Sequence, residues 1–222
     1  MYKYASLVIA LIISSAISSV AQEEATAVSA DVLEQQTEKS KNNSIRIRFG
    51  NAPGFDELED DTGSYAIDDD GGSQFDVVYQ RRFWSKNNPV IGGVFGGGIF
   101  FGNHSSSSGA VDLDVTTFGG LVEGGFAVKA GEVVVFEISP YLGAGIAENK
   151  TTGYTSGTGT IVIYGVKGGA YFALGSAIEL GIEAGYGAAT HDQEYEDSWG
   201  YTEDVTFTGS GAVVAGVLSI KF

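Results

Sequence analysis

"AGVLSIKF", residues 215–222, closes the sequence on a strict alternation in which Leu218, Ile220 and Phe222 are separated by Ser219 and Lys221. A period of two belongs to a β-strand with one apolar face. Chain ends are usually frayed and polar unless tied into a fold. An aromatic, amphipathic last strand is therefore expected to be paired along both edges, closing a sheet against its own first strand.

The same alternation recurs back along the chain. Eight strands are expected, at residues 44–51, 73–84, 90–102, 115–129, 133–148, 160–174, 177–190 and 205–222. The breaks between them alternate in length. Those after the second, fourth and sixth strands are short (85–89, 130–132 and 175–176), whereas those at 52–72, 103–114, 149–159 and 191–204 are long and polar. One end of the sheet is trimmed and the other elaborated, as in membrane barrels with tight periplasmic turns and long external loops. The expected fold is all-β, an eight-stranded antiparallel up-and-down transmembrane β-barrel over residues 44–222.

Composition agrees. The 222 residues include 33 Gly, 3 Pro and no Cys, which excludes a disulfide framework, Cys-ligated metal and thiol catalysis. Residues 1–21 have one cation at Lys3, a short apolar run and small residues ending at Ala21, the pattern of a secretory signal peptide. The apolar run is too short and too serine-rich for a membrane anchor. Residues 22–43 are polar and without period, and are expected to be a periplasmic N-terminal tail.

Side-chain facing favours lipid outside. On the fifth strand Phe136, Ile138, Pro140, Leu142 and Ile146 share one face, with Glu137, Ser139 and Tyr141 on the other. The sixth, seventh and eighth strands repeat this with Lys167, Glu179, Glu183 and Lys221 on their less apolar faces. A soluble barrel uses the same alternation with its apolar face inward. The leader, the loop asymmetry and aromatics near strand ends (Phe83, Trp84, Phe100, Phe101, Phe172 and Phe222) point to a membrane barrel with aromatic girdles.

"SPYLGAGIA" (139–147), "SAIELGIEAGY" (176–186) and "AGVLSIKF" resemble, in that order, strands of the small eight-stranded bacterial outer-membrane barrels, the opacity-type proteins and the transmembrane domain of outer-membrane protein A. The likeness covers residues 44–222. It departs at Ala188, Ala189 and Thr190, where charged residues are common in the family. The resemblance implies integral residence in outer-membrane lipid and roles in adhesion or envelope integrity. It also implies that Leu218, Ile220 and Phe222 form the assembly signal read by the insertion machinery.

An eight-stranded barrel has an interior just wide enough for side chains. The inferred inward faces carry Arg46, Arg48, Arg82, Lys167 and Lys221 against Asp76, Glu123, Glu137, Glu179 and Glu183. Buried charges persist when paired, so these groups are expected to form an ion-pair network closing the lumen. A narrow polar pore is the second reading.

The acidity lies on the loops. Residues 52–72 hold Asp56, Glu57, Glu59, Asp60, Asp61, Asp68, Asp69 and Asp70 with no cation, and residues 191–204 add Asp192, Glu194, Glu196, Asp197, Glu203 and Asp204. Such a field repels nucleic acid and attracts divalent cations or a basic extracellular ligand. Asp68, Asp69 and Asp70 are the weak metal candidates, lacking EF-hand spacing. Tyr154, Tyr195, Trp199 and Tyr201 are candidate adhesive anchors.

No cofactor is expected, and the protein is expected not to be an enzyme. His104 beside Ser105–Ser108, and His191 beside Asp192, leave lipid-acyl chemistry as a third reading without a visible triad. The glycines of 92–98 lack the helix start and Lys of a phosphate loop and suit a crowded strand. The leading expectation is a structural or surface-interaction barrel; the alternative is a narrow passive channel for small solutes or ions.

Overall fold

The computed structural model describes residues 42–60, 62–108, 111–151, 157–196 and 202–222. The expected leader, nearly all of the tail, and Asp61, Tyr154, Asp197, Trp199 and Tyr201 lie outside the described residues. So do the side chains of Asp69, Asp70, Tyr195, Glu196 and Glu203.

The described residues form ten strands: β1 (Asn43–Ala52), β2 (Glu57–Asp60), β3 (Gly63–Ala66), β4 (Asp68–Trp84), β5 (Ile91–Ser108), β6 (Val111–Ala130), β7 (Val134–Thr151), β8 (Gly157–Ala173), β9 (Ile178–Glu196) and β10 (Thr202–Lys221). The eight long ones pair antiparallel in sequence order, and β1 returns to β10 through a register from Ser44↔Lys221 to Gly50↔Ala215. Phe222 extends that closure, its amide donating to the Asn43 carbonyl at 3.0 Å. The barrel therefore has no free edge along this seam, which lipid would not tolerate. Two of the short turns use glycine at positive φ, Gly131 (77°) and Gly175 (113°), a conformation costly for other residues.

The strands run past their expected ends, and four sequence-based expectations are corrected. Residues 103–108 and 111–116 form β5–β6 ladder, with Asn103↔Thr116 through Ser108↔Val111, so the polyserine stretch is strand. Residues 191–196 pair with 202–207 in the same way. Asp68, Asp69 and Asp70 open β4 instead of sitting in a loop. Phe100 is fully buried inside the barrel and belongs to no girdle.

The first long loop is also structured. β2 runs in the direction of β1 and pairs with the same neighbour, Thr208↔Glu57 to Thr206↔Glu59 on β10. β1 and β2 thus act as one wall strand interrupted at residues 53–56, and β3 returns beside β2 into β4. At the hairpin tip Asp60 Oδ1 accepts from the Thr62 amide (2.7 Å), Thr62 hydroxyl (2.6 Å) and Gly63 amide (3.0 Å). Donation from the Thr62 hydroxyl is the main reason that its carboxyl titrates below the usual range.

The wall changes character along its height. On β7 the outward residues from Phe136 to Ile146 are apolar and exposed; at ~3.3 Å per residue and a tilt of ~40° they cover about 25 Å, the height of a lipid belt. Next, outward polar residues sit directly opposite one another from strand to strand: Asn51↔Ser73, Ser73↔Asn103, Asn103↔Thr116, Thr116↔Glu148 and Glu148↔Thr158. Thr160↔Asp192 and Asp192↔Thr206 carry the line to β10. This polar line marks where the wall leaves the membrane. The 20-residue β6 and β10 measure about 50 Å along the axis at that tilt, about twice the lipid belt, and they continue past the line up to Val111 on β6 and Thr202 on β10.

In that overhang the facing inverts. Leu113, Val115 and Val205 point inward and join one buried apolar cluster, while Asp114, Thr116, Asp192 and Asp204 point out. The barrel is built for lipid below the line and for water above it.

Candidate functional site in the barrel lumen

Below the polar line the lumen holds buried Val78, Phe100, Leu121 and Ile163 and, among and beneath them, a dense set of charges. Arg46 and Arg48 come from β1, Arg82 from β4, Glu123 from β6, Glu137 from β7, Lys167 from β8, Glu179 and Glu183 from β9, and Lys221 from β10. The alternation that sends their outward neighbours into lipid aims all of them at the axis. β5 contributes no charge; its inward Gly96 is space for others, since a Cβ there would lie 3.1 Å from Val78 and 3.3 Å from Gln80 side-chain carbons.

The contacts form one continuous chain. Arg46 grips Glu137 bidentately, Nη1 to Oε2 at 2.7 Å and Nη2 to Oε1 at 2.9 Å. Arg82 Nε donates to the same Glu137 at 2.6 Å, and its Nη1 reaches both Glu179 oxygens at 2.9 Å. Lys221 Nζ donates to Glu179 at 3.3 Å. Arg48 bridges Glu183 (Nε, 3.0 Å) and Glu123 (Nη2, 2.6 Å). Lys167 Nζ lies 2.9 Å from Glu123 and 3.3 Å from Glu183. An Arg46–Glu183 approach of 3.9 Å joins the halves.

Nine of the ten charged residues singled out in the sequence are thus brought together. Asp76 is not: it is buried, accepts from Gln74 Nε2 at 2.8 Å, and stands outside the ion pairs among the described residues. Two uncharged members went unnoticed as parts of the network. Gln80 donates to Glu123 at 3.0 Å, and its only sequence signal is its place two residues before Arg82. Tyr171 donates its hydroxyl to Glu183 and lies under Arg46, whose guanidinium carbon is 4.0 Å from the ring centroid. Room for that ring is made by Gly181, where a Cβ would fall 2.4 Å from Tyr171 Cδ1. A glycine two residues from each of two inward glutamates was the available signal.

Such an arrangement keeps buried charge by pairing it. Charges removed from water are stabilised only by close partners, and here each carboxylate of the network meets at least two cations. A migrating ion would have to displace several charge-assisted hydrogen bonds at once.

The other candidates fall elsewhere. Leu218, Ile220 and Phe222 lie on the lipid-facing side of the closing seam, with the Phe222 ring 6.3 Å from that of Tyr79. Among the described residues, no group of three or more acidic or His side chains is placed to hold a metal ion. Ser106 and His104 are buried at the mouth and engage backbone: Ser106 donates to the Phe55 carbonyl at 2.7 Å, and His104 Nδ1 lies 2.6 Å from the Pro53 carbonyl. His191 Nδ1 is 2.9 Å from the Thr160 carbonyl, and its Nε2 is 3.2 Å from Gln193.

No family model and no curated protein matches the chain. Among solved structures it is similar to Neisserial surface protein A, at 17% identity over 82% of this chain and 97% of that one, with a TM-score of 0.38. It is similar to Ail, the attachment invasion locus protein of Yersinia pestis, at 17% identity over 81% and 97%, TM-score 0.40. It is also similar to the outer membrane protein OprG from Pseudomonas aeruginosa, at 12% identity over 83% and 98%, TM-score 0.44.

Proposed function

We propose that this protein is a non-enzymatic, structural and surface-interaction barrel of the bacterial outer membrane, with its lumen closed by ion pairs. The carrying observation is the continuous buried chain from Lys221 through Glu179, Arg82, Glu137 and Arg46 to Glu183, Arg48, Glu123 and Lys167. It leaves function to the wall and to the water-exposed overhang. There the hairpin presents Glu57 and Glu59 and the strand extensions present Asp114, Asp192 and Asp204, a field suited to basic extracellular ligands or to divalent cations.

In this reading the N-terminal tail is periplasmic, on the side of the short turns. The closing strand, through Leu218, Ile220 and Phe222, is the signal for the insertion machinery. The hydrogen bonds of Ser106, His104 and His191 to backbone and Gln193 support the non-enzymatic reading. Mass spectrometry of lipid A with and without expression is expected to give the same acyl profile.

The decisive experiment is single-channel recording of the purified protein in planar bilayers. A silent membrane is expected. Persistent, discrete openings would instead establish a narrow passive channel for small solutes or ions.

A further inference from the structure

Between β1 and β2 the chain leaves the wall for only residues 53–56, and what it delivers is Phe55. The Phe55 side chain is fully buried. Its ring centroid lies 5.2 Å from that of His104, 5.9 Å from Phe207 and 6.2 Å from His191. Ser106 holds its backbone from both sides, accepting from the Phe55 amide at 3.0 Å and donating to its carbonyl at 2.7 Å. The Asp56 amide donates to the Thr208 carbonyl at 2.9 Å, and a Cβ on Gly209 would collide with the Gly54 carbonyl at 1.8 Å. His104 is one residue from Asn103 of the outer polar line, so Phe55 sits at the height where the barrel leaves the membrane.

The wall gives up backbone pairing to make this excursion. β10 pairs with β1 up to Ala215 and with β2 from Thr208, and between them the Asn51 side chain substitutes for a rung, donating to Ala212 O at 2.8 Å and accepting from Val214 N at 2.6 Å. A continuous strand of the same length would pair more groups. The break is explained by what it seats.

Below the segment lies a partly open cavity of about 50 Å³, lined by Arg48, Asp76, Lys167 and Glu183 from the ion-pair layer, by Pro53, His104 and Ala189 nearer the mouth, and by Asn51 and Val214 at the wall. At roughly 10–15 Å³ per water it has room for about three to five molecules. We propose that residues 53–56 are a cork, which seats Phe55 in the extracellular mouth and, through Pro53 and the His104 ring that Phe55 packs on, restricts access to this cavity from above, independently of the ion pairs that line it from below. The cork runs directly into the acidic hairpin β2–β3, so a partner that pulls on the hairpin acts on the chamber.

The absence of Cys from the chain makes a clean test available. Ala189→Cys places a single thiol on the chamber wall at a buried position. The full-length protein, reconstituted in liposomes and checked for folding by heat-modifiable mobility, is treated with a charged methanethiosulfonate. With Phe55 in place the thiol is expected to react slowly. Adding Phe55→Ala is expected to raise the rate at least about tenfold, the factor corresponding to the loss of a buried phenyl group. Ser106→Ala, a milder change that loosens the segment while keeping the ring, should give an intermediate rate and serves if Phe55→Ala does not fold. Equal rates in all folded backgrounds, or rapid reaction with Phe55 present, would overturn the cork. The thiol readout is separate from conductance: a silent bilayer with equal thiol rates removes the cork and leaves the ion-pair closure, whereas an open channel with a Phe55-dependent rate does the reverse.

Discussion

Glu137 is the carboxylate on which the lower plug turns, and Glu137→Gln isolates its charge. The substitution keeps shape and one acceptor, but withdraws the counter-charge from Arg46, bidentate at 2.7 and 2.9 Å, and from Arg82 at 2.6 Å. Arg82 retains Glu179. Arg46, whose side chain is wholly buried, keeps only the distant Glu183 at 3.9 Å. Breaking a buried pair by removing one partner costs about 3–5 kcal/mol, and the fully enclosed Arg46 places this site in that range. With a guanidinium m-value of roughly 4 kcal/mol/M, the unfolding midpoint should fall by about 1 M. Guanidinium unfolding in detergent, followed by tryptophan fluorescence and by heat-modifiable mobility, measures it. The paired variant Arg46→Met/Glu137→Leu removes the stranded cation as well and should recover most of the loss, because a buried ion pair and an apolar pair of similar volume are often nearly equal in stability. A Glu137→Gln midpoint within about 0.1 M of the parent, equivalent to ~0.4 kcal/mol at that m-value, would refute the claim that the plug is held by charge. A double variant as unstable as the single would refute the claim that the cost is a stranded arginine.

Other positions test the wall. Leu142→Arg, in the lipid belt of β7, should cost about 2–4 kcal/mol in folding into liposomes, whereas Glu148→Arg, on the same face in the polar line itself, should cost about 0–1 kcal/mol; similar costs would misplace the boundary. Gly181→Val should destabilise severely, because its Cβ meets Tyr171 Cδ1 at 2.4 Å, and Tyr171→Ala should partly rescue it in the same denaturant titration. Deleting Phe222 removes an amide hydrogen bond donated to the Asn43 carbonyl and a ring contact with Tyr79; heat-modifiable barrel recovered from outer-membrane fractions should fall, and an unchanged yield would deny the closing strand its role in assembly.

The membrane half of this fold was legible because lipid imposes a simple rule. Where apolar residues face out, every polar residue between them faces in, so Glu137 between Phe136 and Ile138, or Glu179 between Ile178 and Leu180, announces its own direction. The overhang was illegible to the same rule. "NHSSSSGAVDLD" reads as loop when strands are sought by lipid-facing apolar residues, yet a strand standing in water needs apolar residues only inside. Leu113 and Val115 supply them. Phe100 was misplaced for a related reason: Ile99, Phe100 and Phe101 are all apolar, so alternation carries no phase there and only the ladder Phe100↔Gly119 fixes it. Phe55 had no periodic signal, being a lone aromatic in an acidic stretch whose position depends on contacts with β5, β9 and β10.

The inversion nevertheless leaves a trace within single strands. On β6 the apolar series is odd-numbered at Leu113 and Val115, then even-numbered at Phe118, Val122 and Phe126, and the switch falls at Thr116–Thr117. On β10 it is odd at Val205 and Phe207, then even at Val214, Leu218 and Ile220. Alternation is unbroken in the backbone, because both ladders run through the switch without a register shift; what changes is the solvent outside. A strand that crosses from lipid to water must exchange its apolar face, since the hydrophobic effect drives apolar groups away from water on either side of the wall, while a closed lumen must exclude water at every height. In the lower part of the barrel exclusion falls to paired charges, which lipid outside allows to be kept within. Toward the boundary and above it, exclusion falls to an apolar core that begins at Phe100, Leu121 and Ile163 and needs filling at the mouth, where the strands alone supply Phe207, His104 and His191 around a space. Phe55 fills that space. Its inward path at residues 53–56 thus follows from the same exchange of faces that sets the membrane boundary.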